Sequence, residues 1–155
     1  MTKIKLSYIV SSLANEGPVN VMYNIIQHFD FEKFDVSIVT LIPEKENSRF
    51  FDFKKLPIKI IQVSPNNTLN PIKLYKKLKN ELDKISPQLL HAHCPRSLFL
   101  MYFLPKKYKK IYTAHIYPGI QQKALYGTFK GIIVTKLLNF FMNKTEYPIA
   151  CSYSV

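Results

Sequence analysis

Six short apolar runs, rich in β-branched residues, alternate along this chain with segments of helical periodicity. The runs cover residues 4–13, 34–42, 58–63, 88–93, 110–115 and 147–152. Three of the helical segments open with a proline in the first turn, where the missing N–H costs nothing. Strands that alternate with helices over short connections form parallel βαβ units. We therefore predict an α/β fold with a Rossmann-like, doubly wound and mostly parallel sheet.

Two of these predicted strands finish in histidine and are then broken by proline. The first ends as His91-Ala92-His93 before Cys94-Pro95-Arg96, and the second ends at His115. His91 and His93 are two positions apart on a strand, so they point to the same face. Because ligands of doubly wound sheets bind outside the carboxyl ends of the strands, we expect these side chains to meet in one crevice.

The charge of the chain is unevenly distributed. The net charge is +12, and residues 84–155 carry ten basic residues against a single acid, Glu146. This half should attract anions such as phosphates or acidic lipid headgroups, and it lacks the carboxylate pair that glycoside hydrolysis requires. Only two of the 22 basic residues are arginines, so we expect no specific nucleic-acid recognition.

Cysteine usage and hydropathy bear on the compartment. Two cysteines are too few for a disulfide scaffold and are consistent with a reducing cytoplasm. The apolar start of the chain is interrupted by Lys5 and Ser7, so we interpret it as a strand and not as a signal peptide. The longest unbroken apolar run, 98–104, is too short to span a bilayer. We expect a cytoplasmic protein, with peripheral attachment to the inner membrane face as an option.

The histidine cluster admits three interpretations. His115 is the better catalytic candidate, because an imidazole at a strand end can accept a proton from a substrate hydroxyl or hydrogen-bond to it. Alternatively, His91, His93 and His115 are ligands of a metal-dependent hydrolase, since zinc accepts nitrogen and sulfur donors. No nearby acid would orient such ligands, and we predict no metal. The third interpretation is a non-catalytic Rossmann-like module that docks through its basic face.

Two further segments carry weaker signals. The turn at 11–18 lies where doubly wound folds hold phosphate at a helix N-terminus, but it has neither G-x-G-x-x-G nor a P-loop. A long helix over 123–143 places apolar residues on one stripe, which we interpret as core packing. Lysines at 123 and 130 leave open a membrane-surface helix. The stripe consists of Tyr126, Phe129, Ile133, Leu137 and Phe140.

In order and spacing, these features resemble the N-terminal half of a family-4 retaining glycosyltransferase with the GT-B fold. The pieces that match are the run at 8–13 before Gly17, the segments 34–41 and 90–93, Thr113-Ala114-His115 with Tyr117-Pro118, and 150–152. The resemblance covers essentially the whole chain. The chain departs from the family pattern at Glu16-Gly17-Pro18, where paired glycines are common in the family, and at Cys94-Pro95, where a glycine is common.

The resemblance implies roles for particular residues. Gly17 with Glu16 would form the loop near the donor phosphates, and His115 would lie near the reacting sugar. The acceptor cleft would be lined by His91, His93, Arg96 and Tyr117. It further implies transfer of a sugar from a nucleotide-sugar to a polysaccharide or lipid-linked acceptor, with retention. Such transfer needs no metal and no cofactor beyond the nucleotide-sugar co-substrate.

The resemblance also implies a domain organisation. Residues 1–155 would be the acceptor-binding Rossmann-like domain, incomplete at its C-terminus. The donor-binding domain is absent from this chain, so it would have to be supplied in cis or in trans. We expect the segment to be inactive alone.

Overall fold

The computed structural model describes residues 2–64, 70–116 and 118–152. Their strands form one six-stranded sheet of order β3-β2-β1-β4-β5-β6, in which every neighbouring pair is parallel. The strands are β1 (Ile4–Val10), β2 (Phe34–Thr40), β3 (Lys59–Gln62), β4 (Leu89–Ala92), β5 (Lys109–Ala114) and β6 (Tyr147–Ala150). Five lie within the predicted runs and β5 begins one residue before its run, and the order is that of a doubly wound Rossmann-like sheet. The predicted fold class is confirmed.

Three of the helices begin beside the prolines that the sequence marks. They are α1 (Gly17–Ile26), α2 (Phe50–Phe53), α3 (Pro71–Ile85), α4 (Pro95–Tyr102), α5 (Ile120–Tyr126) and α6 (Thr128–Asn143). Pro18, Pro71 and Pro95 each occupy a first helical turn. Asn70 caps α3, because its side-chain oxygen accepts hydrogen bonds from two backbone N–H groups of the first turn at 3.0 and 3.1 Å.

Two hydrophobic clusters cover the two faces of the sheet. Alternate residues of β1 divide between them: Tyr8 packs with α1 and β2, whereas Ile9 packs with the cluster formed by α3, α4 and α6. On α3 the buried stripe is Leu74, Leu78 and Leu82, as its periodicity predicts. A sheet covered on both faces leaves its strand ends as the natural place for a ligand.

The winding of the chain reverses between β1 and β4. From β1 the chain proceeds outward through β2 to β3, and it then returns to β4 on the other side of β1. The loops that follow β1 and β4 therefore diverge and leave a crevice at the carboxyl ends of these strands.

The predicted long helix over 123–143 is interrupted. Gly127 has φ of +77°, in the left-handed region that favours glycine, and it separates α5 from α6. The assignment of the apolar stripe to the core is wrong: Phe129 is 78% exposed, and Leu137 is 50% exposed. The face of α6 that packs carries Gly131, Leu138 and Phe141. Because both faces of α6 carry apolar residues, periodicity alone did not distinguish the packed face.

Candidate functional site

Two histidines meet at the carboxyl ends of adjacent strands. His93 follows the last residue of β4 and His115 follows the last residue of β5, and these strands are hydrogen-bonded neighbours. The Nδ1 atom of His93 lies 3.0 Å from the Nε2 atom of His115. The structure therefore brings His93 and His115 together at one edge of the sheet.

His91 lies beneath this pair. Its Nε2 atom is 2.8 Å from the hydroxyl of Thr113, its ring stacks on that of Tyr8 at 5.0 Å, and the centroids of the His91 and His93 rings are 4.3 Å apart. Burial lowers the pKa of His91 to about 4 and that of His93 to about 2, and neighbouring imidazoles add repulsion. Burial also lowers the pKa of His115. The three rings are therefore neutral near pH 7.

Cys94 serves the start of α4. Its sulfur accepts a hydrogen bond from the backbone N–H of Ser97 at 3.4 Å, and it lies 3.2 Å from the hydroxyl of Ser11. The Ser97 hydroxyl in turn accepts from the backbone N–H of Cys94 at 3.1 Å, which completes a capping box. The thiol of Cys94 therefore caps the N-terminus of α4.

The metal-ligand interpretation does not fit this arrangement. One ring nitrogen of His91 lies at hydrogen-bond distance from Thr113, and one ring nitrogen of His93 lies at hydrogen-bond distance from His115. Across residues 2–64, 70–116 and 118–152, no three His, Cys, Asp or Glu side chains are placed to share a metal ion.

One cavity, of about 280 Å³, opens between the ends of β1 and β4. Its lining includes the charged side chains of Glu16, Lys45 and Arg96 together with Ser11 and His93, and we call it the polar cavity after these groups. The Glu16 carboxylate pairs with the Lys45 ammonium at 2.9 Å. Arg96, predicted as a wall of the acceptor cleft, thus lies beside the turn that contains Glu16. Gly17 begins α1 there, and a Cβ at this position would meet nothing within 4 Å.

A second cavity, of about 370 Å³, opens between β5 and the α5–α6 pair. Its lining is mainly apolar, with Tyr112, Leu125, Val134 and Leu138, and His115 also lines it. Four residues line both cavities, namely Glu16, Pro18, His93 and Cys94, so the two cavities adjoin, and together we call them the histidine cleft.

Some predicted site residues lie elsewhere. His91 borders neither cavity, because it is buried below His93. Tyr117 lies outside the described residues. A larger cavity of about 630 Å³, lined by Ser86, Gln88 and Lys107 among others, lies at the amino ends of β4 and β5. That end of a parallel sheet is not where doubly wound folds bind ligands, so we assign the site to the histidine cleft.

Ser11 belongs to the turn at 11–18 that the sequence indicates as a phosphate position, and it lines the polar cavity. Two other cleft residues were missed by sequence reasoning. Lys45 lies between β2 and α2, where an isolated lysine carries no signal. Gln122 is buried on α5, where its side chain accepts a hydrogen bond from the backbone N–H of Gly119 at 2.7 Å. Each reaches the cleft through tertiary structure that a local pattern does not record.

An all-parallel doubly wound sheet with a ligand-sized cleft at its switch point defines a Rossmann-like binding domain. The chain belongs to Glycosyltransferase Family 4, because the model of that family matches residues 16–155. No curated protein matches it in sequence. Within the described ranges, no helix combines the length and apolarity needed to cross a membrane.

Among solved structures, the fold is similar to that of the Anabaena protein Alr3699/HepE, whose structure was determined in complex with UDP and glucose. The TM-score is 0.66 at 13% sequence identity, and the match covers 97% of this chain and 39% of that one. At this identity the likeness shows the fold alone. This chain spans about two fifths of the length of the HepE chain.

Proposed function

We propose that this chain is the acceptor-binding half of a glycosyltransferase. The enzyme would move a sugar from a nucleotide-sugar to a polysaccharide or lipid-linked acceptor, with retention of the anomeric configuration and without a metal. The observation that carries the proposal is the histidine cleft, whose polar and apolar cavities meet at His93 beside His115. Membership of Glycosyltransferase Family 4 supports the reaction class.

The polar cavity suits the phosphates of the donor. The N-terminus of α1 directs backbone N–H groups and a partial positive charge toward it, although Pro18 contributes no N–H. At Gly17 the backbone is open to close approach, and Lys45 and Arg96 add positive charge nearby. The UDP bound by HepE, a protein of the same fold, is consistent with a nucleotide-sugar donor here.

The apolar cavity suits the sugar and the acceptor. His115 would contact the transferring sugar, and Leu125, Val134 and Leu138 offer an apolar wall to a lipid-linked acceptor. Tyr117 remains a proposed residue of the same cleft. The donor-binding domain would close over this cleft and would be supplied in cis or in trans.

The test is a transfer assay on the full-length protein, with UDP-glucose as the first donor of a nucleotide-sugar panel and glycan and lipid-linked acceptors. The anomeric configuration of the product is determined by NMR, and the assay is repeated with EDTA. We expect retention, insensitivity to EDTA, and a roughly 100-fold loss of kcat/KM for His115→Ala, the size of losing one well-placed hydrogen-bond donor. His28→Ala, at the far end of α1, is the matched control. Full activity of His115→Ala would remove this residue from the reaction.

An exposed apolar face indicates where in the cell the reaction would take place. We define the outer face of α6 as Phe129, Ile133, Leu137 and Phe140, each 45% exposed or more and none of them a lining residue of the histidine cleft. Lysines at 123, 130 and 136 accompany it, and residues 118–145 contain no acid. Contiguous exposed apolar surface marks interaction sites, and its combination with lysines fits anionic lipid. We propose that this face docks on the anionic inner membrane surface of the cytoplasm, where lipid-linked acceptors are held.

Vesicle sedimentation tests the docking. Full-length protein should pellet with phosphatidylglycerol vesicles, less so at high salt, and Phe129→Ser should weaken the binding without unfolding the protein. Phe51→Ser is the matched control, since Phe51 is 75% exposed on α2 at the opposite edge of the sheet. Equal loss of binding in both variants, or binding that ignores anionic lipid, would contradict this docking face.

A further inference from the structure

We infer that His93 is a positioning residue that holds His115 in the Nδ1–H tautomer, so that His115 meets its substrate as a hydrogen-bond donor and not as a general base. The identity of the substrate rests on the proposed function. The tautomer of His115 is independent of that function, because it follows from contacts within the protein.

The rings of His93 and His115 share one hydrogen bond, so a single proton lies between them. The Nδ1 atom of His93 and the Nε2 atom of His115 are 3.0 Å apart, a hydrogen-bond distance, and one of them must donate. Both rings are neutral near pH 7, because burial lowers the pKa of each. A neutral imidazole carries a single N–H, so the direction of this hydrogen bond fixes the tautomers of both rings.

The far nitrogen of His93 decides the direction. Its Nε2 atom is fully buried and has no hydrogen-bond partner among the described residues. If His115 donated, His93 would carry its proton on this Nε2 atom, as a buried N–H without an acceptor. Orphaned buried N–H groups are rarer in folded proteins than acceptors that lack a partner. His93 therefore carries its proton on Nδ1 and donates it to His115.

The direction of this hydrogen bond fixes the tautomer of His115. Its Nε2 atom accepts from His93, so its own proton lies on Nδ1. No hydrogen bond joins this Nδ1 to another described residue, and the ring borders the apolar cavity of the histidine cleft. The free nitrogen of His115 is then a donor with no lone pair to accept a proton. A donor of this kind stabilises a sugar oxygen that gains negative charge, whereas it cannot deprotonate a hydroxyl.

The direct test reads the tautomers by NMR. Full-length protein labelled with 15N at histidine is examined above pH 7 by long-range 1H–15N correlation, which separates protonated from unprotonated ring nitrogens. We expect His115 protonated on Nδ1 and His93 protonated on Nδ1. His28 is the internal reference, since its Nδ1 atom lies 2.8 Å from the carbonyl oxygen of Asn24 and must carry a proton. Protonation of His115 on Nε2 would overturn the inference, whatever the protein catalyses.

Two pairs of variants test the consequence in the transfer assay. Asparagine at position 115 offers an amide N–H near the place of Nδ1, whereas aspartate offers only acceptors there. We expect His115→Asn to stay within about tenfold of wild-type kcat/KM, the effect of one neutral hydrogen bond, and His115→Asp to fall at least roughly 100-fold. The reverse ranking would indicate a base and refute the donor role.

At position 93, His93→Asn keeps an N–H toward His115 and His93→Leu removes it. We expect His93→Asn to preserve the Nδ1–H signal of His115 and most of kcat, and His93→Leu to lose that signal and roughly tenfold in kcat. A His115 signal unchanged in His93→Leu would show that His93 does not set the tautomer. If no variant at position 115 alters transfer while the NMR result stands, the role of His115 in transfer is refuted and the tautomer assignment survives; if the full-length protein transfers no sugar at all, the proposed function fails and the tautomer assignment again survives.

Discussion

Gly131 is where α6 crosses α5, and a methyl group there tests the packing of the cleft wall. A Cβ at position 131 would lie 2.5 Å from the Cα of Lys123, 2.6 Å from its backbone nitrogen and 2.7 Å from the carbonyl oxygen of Gln122. These are backbone atoms, so no side-chain rotation relieves the overlap. Carbon atoms pack at about 3.5–4.0 Å, and α5 would have to move by roughly 1 Å.

Two effects of opposite sign determine the stability of Gly131→Ala. Overpacking costs about 1–3 kcal/mol, whereas alanine in place of glycine within a helix gains up to about 1 kcal/mol. We therefore expect the free energy of unfolding to fall by about 1–2 kcal/mol, which lowers Tm by about 2–8 °C in a chain of this size. An ordinary exposed helical glycine would show the opposite sign.

The assay is thermal and urea unfolding of Gly131→Ala beside Gly17→Ala. A Cβ at Gly17 meets open space, so that substitution should leave stability unchanged or raise it by about 0.4–1 kcal/mol through the unfolded chain. Because α5 carries Gln122 and Leu125 into the cleft, Gly131→Ala should also lower transfer activity. A Gly131→Ala protein as stable as wild type, or more stable, would refute this account of the α5–α6 crossing.

Three further outcomes are expected. Burial lowers the pKa of His91 to about 4 and of His93 to about 2, so the unfolded chain binds protons before the folded chain does as the pH falls below about 6.5. The free energy of unfolding, measured with urea, should therefore fall by about 2 kcal/mol per histidine between pH 6.5 and 5, and a flat profile would contradict this expectation. Cys94→Ala should lower the free energy of unfolding by about 1 kcal/mol while Cys94→Ser retains it, and equal Tm values for the two would show that the thiol is not a helix cap. Arg96→Ala and Lys45→Ala, both at exposed positions, should each raise KM for the nucleotide-sugar roughly tenfold at unchanged Tm; an unaltered KM would place the donor phosphates elsewhere.

The fold was predictable because the signals that specify it are local. Each strand is a short apolar run, and prolines at positions 18, 71 and 95 mark first turns, so element order and sheet class follow from pattern alone. The break at Gly127 was missed, because a glycine inside a helical pattern is compatible with both continuation and interruption. The exposed side of α6 was misassigned for a related reason: Leu138 and Phe141 face the core, yet the opposite face is equally apolar.

The site was predictable only in part. Parallel topology brings His93 and His115 to one edge of the sheet, and this follows from sequence once the strands are placed. Their hydrogen bond does not follow, because it depends on side-chain rotamers and on the packing of Tyr8 and His91 around the rings. The contribution of Lys45 depends on the path of a loop that brings it within 2.9 Å of Glu16.

The neutrality of the buried histidines is consistent with the positive charge at the mouth of the cleft. Lys45 and Arg96 are exposed, so water solvates their charges until an anion replaces it. A charge on buried His93 would cost desolvation, and any positive charge on His91 or His115 would repel it, which is why the pKa of His93 is lowered. The cleft thus combines exposed cations, which attract phosphate, with a neutral hydrogen-bonded floor that orients His115. If the floor were charged, lowering the pH would strengthen anion binding through it. With a neutral floor, binding of UDP-glucose measured by calorimetry should stay constant from pH 7.5 to 6.5, because its diphosphate diester, unlike the terminal phosphate of UDP, does not titrate in this range.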